Sequence, residues 1–208
     1  MKWFCAKKPR SLPKFGDLVI GSLQTETALA KLHGVGPEGE QAFLGRCRHF
    51  KQIGIVRGSG GRGKRLSYGL RDVEILAFAL ELSAYKVDPS IIAKFIDTYR
   101  PGIHQTFDRV RHEMRREKNE KKQVIYLAFV ANFWKSPDGV PTWLQMYTLD
   151  ELMAGLDSGK FRFWLGHRVG LIDVSYLWYK LRELLPQLDE LVAEAEAIEV
   201  KAEAKKSE

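Results

Sequence analysis

The sequence predicts an α+β protein, with helices and a small β-structure over 1–100 and then a mixed α/β module that ends in a long helix. Apolar residues recur at helical spacing over 25–34 and 40–54. They alternate with polar or small residues over 66–70, which indicates a strand, and β-branched and aromatic residues dominate 123–134, as in buried strands. A chain of 208 residues, 45% of them hydrophobic, is long enough for one large domain or two small ones.

Two helices are predicted after a basic lead-in, punctuated by proline and glycine, over 1–22. The first helix lies within 25–34, with Thr25 as its N-cap and Gly34 as its stop. The second helix occupies 40–54 and ends at its final glycine. One face of the second helix is expected to hold Phe43, Leu44, Cys47, Phe50 and Lys51.

A β-hairpin and two further helices are predicted next. The hairpin strands are "IGIV" (53–56) and "RLSYGL" (65–70), and the long tip between them is rich in glycine and arginine. Asp72 is expected to cap the helix that follows the hairpin. Asp88 is expected to cap another helix, which has a proline in its first turn and ends near Pro101, where the helical pattern is interrupted.

These patterns divide the chain into three parts: residues 1–100, a basic linker helix over 101–122, and a mixed α/β module over 123–208. The charges of the linker helix are typical of a solvated helix face, with a phosphate-binding stripe as the alternative. In the module, the strand at 123–134 is expected to pair with "PTWLQMY" (141–147).

Three more patterns are found in the last module. Thr148 and Glu151 have the spacing of a helix capping box, and the segments 160–166 and 168–174 resemble a second hairpin. The final helix either pairs with another helix or packs on its own domain, and Pro186 either restarts it or kinks it. Its apolar residues alternate in steps of four and three: Leu177, Leu181, Leu184, Leu188, Leu191, Ala195 and Ile198.

Positive charge is concentrated in one block of the sequence. The net charge is +7, and between Leu44 and Arg71 there are eight Lys or Arg residues and no Asp or Glu. Within the block, 58–64 matches the G-x-x-x-x-G-K pattern of a phosphate-binding P-loop. A P-loop also needs a Ser or Thr after the lysine, a helix behind it and an acidic strand, whereas Arg65 and a predicted strand follow here. Nucleotide binding is therefore not expected.

The same block fits the phosphates of a nucleic acid. The order helix, turn, helix and basic hairpin is that of a winged helix-turn-helix, in which the second helix enters the major groove and the hairpin, or wing, lies along the backbone. The sequence therefore predicts a protein that binds double-stranded DNA. The candidate DNA-binding residues are Arg46, Arg48, His49, Lys51, Arg57, Arg62, Lys64, Arg65 and Tyr68.

Two stretches of this region match a known pattern. "RHFKQIGIV" (48–56) has the arginine, the aromatic positions and the apolar-Gly-apolar stop that end a recognition helix, and Tyr68 is followed by Asp72 and two apolar helices. In both stretches, and over 22–98 as a whole, the chain resembles the DNA-binding domain of MerR-type transcriptional regulators.

The MerR resemblance implies roles for particular residues. Arg48 would hold a backbone phosphate, His49 would reach the DNA, and the basic residues of the wing would contact the backbone. Lys51 stands where the family usually has an acid. The resemblance also implies a homodimer on a palindromic promoter, for which the leucine run of the final helix is the candidate interface.

The sequence also fits functions other than sequence-specific regulation. An architectural, recombination or packaging accessory protein uses the same wing, and an RNA-binding module is a third hypothesis that lacks any RNA-recognition motif. No catalytic grouping, metal site or cofactor site is predicted, and the absence of a signal peptide or apolar span predicts a cytoplasmic protein. The aromatic residues of the last module are expected to be core, with sensing of a small molecule as the alternative.

Overall fold

The computed structural model describes residues 19–58, 66–116, 122–130, 144–159, 169–193 and 197. It is an α+β structure, as predicted from the sequence. The first half contains β1 (Ile20–Gly21), α1 (Ser22–Leu32), a short 3-10 turn, α2 (Glu40–Gln52), β2 (Ser67–Tyr68), α3 (Leu70–Ala84) and α4 (Pro89–Arg115). The second half contains β3 (Ile125–Val130), β4 (Leu144–Thr148), α5 (Leu149–Asp157), β5 (Val169–Asp173) and α6 (Val174–Leu184).

The strands form two antiparallel sheets. β1 pairs with β2, so that Ile20 lies opposite Tyr68, and the second sheet has the order β4-β3-β5. The predicted pairing of the strand at 123–134 with the segment before residue 148 is confirmed by the ladder between β3 and β4. β5 pairs with β3 on the other side, and 160–166, its expected partner, lies outside the described residues.

One apolar core connects the described elements on both sides of the predicted linker. α3 packs on α4, and α6 packs on both α1 and α4 as well as on β3. The core cluster extends from Ile20 in β1 to Leu191 beyond α6. The division of the chain into three parts stays a prediction. The described elements before and after the predicted linker share this one core.

Two predicted N-caps are confirmed and two are wrong. The Asp88 carboxylate accepts a hydrogen bond from the Ser90 backbone N–H, and Thr148 forms the reciprocal capping box with Glu151. Thr25 is instead buried within α1, and Asp72 lies in the first turn of α3. Both of these helices start earlier, behind a glycine, because a β-bridge leads directly into each of them.

The predicted first strand of the hairpin is absent, because the backbone after α2 makes other hydrogen bonds. Gly54 has a φ of +81°, and the chain closes α2 with bonds from Gly54 N–H to the Lys51 carbonyl and from Ile55 N–H to the Phe50 carbonyl. The Ile55 carbonyl accepts a hydrogen bond from Arg100 at 3.0 Å. Both backbone groups of Ile55 are therefore occupied, and β2 pairs with β1 instead.

α4 runs through the predicted break at Pro101 and is 27 residues long. A proline inside a helix removes one backbone hydrogen bond and costs about 3 kcal/mol. Burial offsets this cost, because apolar side chains before and after the proline all lie in the core: Ile92, Phe95, Ile96, Ile103, Phe107 and Val110. The predicted linker helix is thus, up to Arg115, the second half of a core helix.

The leucines of the predicted helix seam pack on the chain itself. Leu177, Leu181, Leu188 and Leu191 are buried in the core, and Leu184 packs partly buried against it. α6 ends at Leu184, and a further helical stretch over 187–193 begins just after Pro186, so the helix restarts instead of kinking. Ala195 and Ile198 lie outside the described residues, and a homodimer stays a prediction.

No helix in the described part of the chain has the length and apolar character that are needed to cross a bilayer.

Candidate nucleic-acid interface

α2 has a buried face and an exposed face. The predicted apolar residues Phe43, Leu44, Cys47 and Phe50 are buried, whereas Lys51 is only half-buried. Beyond its first residue, Glu40, which is also exposed, the exposed residues cover an arc of about 160° around the helix, at about 100° per residue. They are Gln41, Ala42, Gly45, Arg46, Arg48, His49 and Gln52.

The charge on this arc lies at its edges. Helical geometry places Arg46 and Arg48 at opposite edges, with Gly45 and His49 near the centre. Packing does not require the glycine, since a Cβ built at Gly45 would have no atom within 4 Å. A glycine within a helix costs about 0.5–1 kcal/mol relative to alanine. The arc therefore carries a cation at each edge, with a glycine and a histidine between them, and the two arginines are spaced to approach two rows of phosphates on either side of a groove.

A third exposed arginine lies beyond the end of α2. Arg57 is exposed, and its backbone N–H lies 3.4 Å from the Asp72 carboxylate of α3. We call Arg46, Arg48, His49 and Arg57 the cationic face. Within the described part of the chain, none of its three arginines forms an ion pair, so their charges face solvent.

Two side chains hold the segment that carries Arg57. Arg100 of α4 donates a hydrogen bond to the Ile55 carbonyl, and Asp72 accepts one from Arg57 N–H. The side chains of Ile55 and Val56 are buried, which fixes the segment on the core. Sequence reasoning missed Arg100 because it lies 45 residues from its acceptor, and it assigned Asp72 to a helix cap.

Gly58, in the predicted tip of the wing (57–64), lies beside Leu66, in the predicted second strand of the hairpin. Gly58 has a φ of +61°, and a Cβ on it would lie 2.8 Å from a Leu66 methyl carbon and 3.1 Å from the Ser67 carbonyl oxygen. Glycine is therefore required at this position. The remaining predicted wing cations lie outside the described residues: Arg62, Lys64 and Arg65.

The expectation that Tyr68 contacts DNA is corrected, because the structure places Tyr68 in the core. Its side chain is fully buried, and its hydroxyl donates a hydrogen bond to the Glu26 carboxylate at 3.2 Å. Burial raises the pKa of the Tyr68 phenol, and the neighbouring Glu26 charge raises it further. Tyr68 thus ties β2 to α1 and supports the base of the predicted wing.

Other chemistry has little support among the described residues. Burial raises the pKa of the Cys47 thiol to about 12, so this cysteine is an unreactive core residue. Cys5 lies outside the described residues. The described residues hold no cluster of His, Cys, Asp or Glu that suits a metal ion. The predicted strand after the P-loop-like glycines is confirmed as β2, so a strand stands where a P-loop has its helix.

No protein-family model matches the chain, and a search of curated proteins also gave no match.

Proposed function

We propose that the protein binds double-stranded DNA in a sequence-specific manner and acts as a transcriptional regulator. The observation that carries this proposal is the cationic face, with solvent-facing arginines at both edges of the exposed arc of α2. Neutralising DNA phosphates releases condensed counterions, which favours association with such a face. A cytoplasmic location is part of the proposal.

The order of elements supports a winged helix-turn-helix. α1, a short turn and α2 are followed along the chain by β2, and Gly58 lies close to Leu66 and Ser67 at the start of β2. In that fold α2 is the recognition helix, with His49 and the two glutamines of its arc directed at base edges. The wing cations then lie along the backbone, in the manner that the MerR resemblance implies.

Arg48→Ala is expected to weaken binding to every duplex by about 1–3 kcal/mol, since a phosphate contact carries no sequence information. Duplexes for the test come from genomic fragments that the purified protein retains in the presence of competitor DNA. Fluorescence anisotropy at fixed salt then gives the affinities. Lys180→Gln on α6 is the control, because it removes one half-buried cation outside the cationic face.

The outcomes of this experiment separate the hypotheses. A regulator retains a small set of duplexes, and Arg48→Ala weakens all of them equally. If the protein binds every duplex with equal affinity and bends the DNA, the hypothesis of an architectural protein is favoured over that of a regulator. A preference for unpaired RNA, or identical affinities for Arg48→Ala and the control, would contradict the proposal.

A further inference from the structure

A cavity of about 330 Å³ lies between the C-terminal half of α4, the segment 122–124 that leads into β3, and the start of α6. Its volume is in the range of small-molecule sites, and a cavity of about 150 Å³ is enough to hold benzene. The space is therefore sufficient for about two fused aromatic rings. None of the residues of the cationic face lines the cavity, so it is a separate feature of the molecule.

The described walls of the cavity are mainly apolar. Val110 and Met114 of α4 and Val124 before β3 contribute aliphatic surface. Tyr176 and Tyr179 of α6 also line the cavity, and their side chains are 55% and 54% exposed. Because they are three residues apart on one helix, the two tyrosines lie next to each other. A ligand with an aromatic body would remove these rings and the aliphatic surface from water.

The charged groups of the described lining are already held by the chain. The Glu113 carboxylate accepts a hydrogen bond from Arg116 at 3.1 Å, and the Asp173 carboxylate caps α6. The Lys122 ammonium donates a hydrogen bond to a backbone carbonyl of α4 at 3.1 Å. None of these groups therefore requires a ligand of opposite charge.

One half-buried polar group of the lining is open to a ligand. The side-chain amide of Gln123 makes no hydrogen bond within the described part of the chain, whereas its backbone N–H is held by the Glu113 carboxylate. The Ser175 hydroxyl, which also lines the cavity, accepts the Ile125 N–H at 2.9 Å. A primary amide can both donate and accept a hydrogen bond, so Gln123 suits an uncharged polar group.

We propose that this cavity binds a small neutral aromatic molecule of about two rings that carries a hydroxyl or amide group. The rings would lie against the two tyrosines and Met114, whose thioether sulfur makes favourable contacts with aromatic rings. The polar group of the ligand would bind the Gln123 amide. The site does not depend on the proposed DNA-binding function, because its residues and those of the cationic face do not overlap.

The test is a titration of the full chain by calorimetry at pH 7 without DNA, using 2-naphthol as the probe. Phenol has the same hydroxyl on a single ring, and 2-naphthoate has both rings but carries a negative charge. 2-Naphthol is expected to bind at least tenfold more tightly than either compound. Phenol would cover less of the apolar lining, and the carboxylate of 2-naphthoate would lose its hydration next to Glu113 and Asp173.

Two variants test the proposed contacts. Tyr179→Ala removes one aromatic face and is expected to weaken 2-naphthol about tenfold. Gln123→Ala removes the hydrogen-bond partner and is expected to weaken it about fivefold. Circular dichroism checks that both variants are folded.

Leu156→Ala is the control, because Leu156 on α5 is a large apolar residue that is 57% exposed and does not line the cavity. It is expected to bind 2-naphthol like the wild type, which excludes general adsorption to apolar surface. The proposal is overturned if 2-naphthol binds no better than phenol or 2-naphthoate. It is also overturned if Tyr179→Ala and Gln123→Ala bind 2-naphthol like the control.

Discussion

Glu74→Ala is expected to lower the free energy of unfolding by about 3–5 kcal/mol, because it removes the fully buried carboxylate of the pair with Arg111 and leaves that buried arginine with only the half-exposed Asp108 as a partner. The Glu74 side chain of α3 is fully buried and is bound by Arg111 of α4. It also lies 3.2 Å from Arg71 and 3.3 Å from His104 Nδ1. Urea unfolding measured by circular dichroism gives the change.

Two further variants show whether the lost charge is the cause. Glu183→Ala removes a carboxylate from an exposed pair with Lys180 and is expected to cost less than about 1 kcal/mol. The double variant Glu74→Leu with Arg111→Met replaces both charges by apolar groups and should recover most of the stability. Equal effects of Glu74→Ala and Glu183→Ala would show that the buried network contributes no more to stability than an exposed ion pair does.

Acid is expected to destabilise the protein through His33, by up to about 3 kcal/mol between pH 6.5 and pH 4. Burial, helped by the positive charge of Arg46, lowers the pKa of His33 from 6.5 to about 4. The His33 side chain is 13% exposed, and its Nε2 is buried without a hydrogen-bond partner in the described part of the chain. The unfolded chain therefore binds a proton more readily between these pH values, and stability falls as the pH falls.

A neighbouring acid changes stability in the opposite direction. The Glu81 carboxylate lies 3.6 Å from His33 Nδ1, and burial raises the pKa of Glu81. Protonation of Glu81 therefore occurs more readily in the folded state and stabilises it as the pH falls. His33→Gln is expected to remove most of the loss in urea titrations at pH 7 and pH 4.5, whereas Glu81→Gln is expected to increase it. The same pH dependence in all three proteins would exclude His33 as the cause.

The sequence predicts the features of this fold that neighbouring residues determine. The four buried apolar residues of α2 follow from helical spacing, and the capping box at Thr148 and Glu151 follows from the reach of two side chains across one turn. The cap at Asp88 is local in the same sense. The exposure of Arg46 and Arg48 follows once the buried face of α2 is known.

The sequence did not predict correctly the features that depend on contacts between residues far apart in the chain. β2 pairs with β1, which precedes α1, and no pattern near Tyr68 indicates that its hydroxyl reaches Glu26 across 42 residues. α4 continues through Pro101 because two other helices bury both of its halves. In the candidate site, the support of Arg57 by Arg100 and Asp72 depends on the same long-range packing.

The salt dependence of duplex binding tests the proposed DNA contacts most directly. In the test variant, the three arginines of the cationic face, Arg46, Arg48 and Arg57, are replaced by glutamine. A control variant loses the same charge from α4, from the segment before β3 and from α6, through glutamine at Arg109, Lys122 and Lys180. The slope of log K against log salt changes by about 0.9 for each phosphate contact. We predict a slope about two to three units shallower for the first variant and a wild-type slope for the control; equal slopes for both variants would contradict the DNA-binding function.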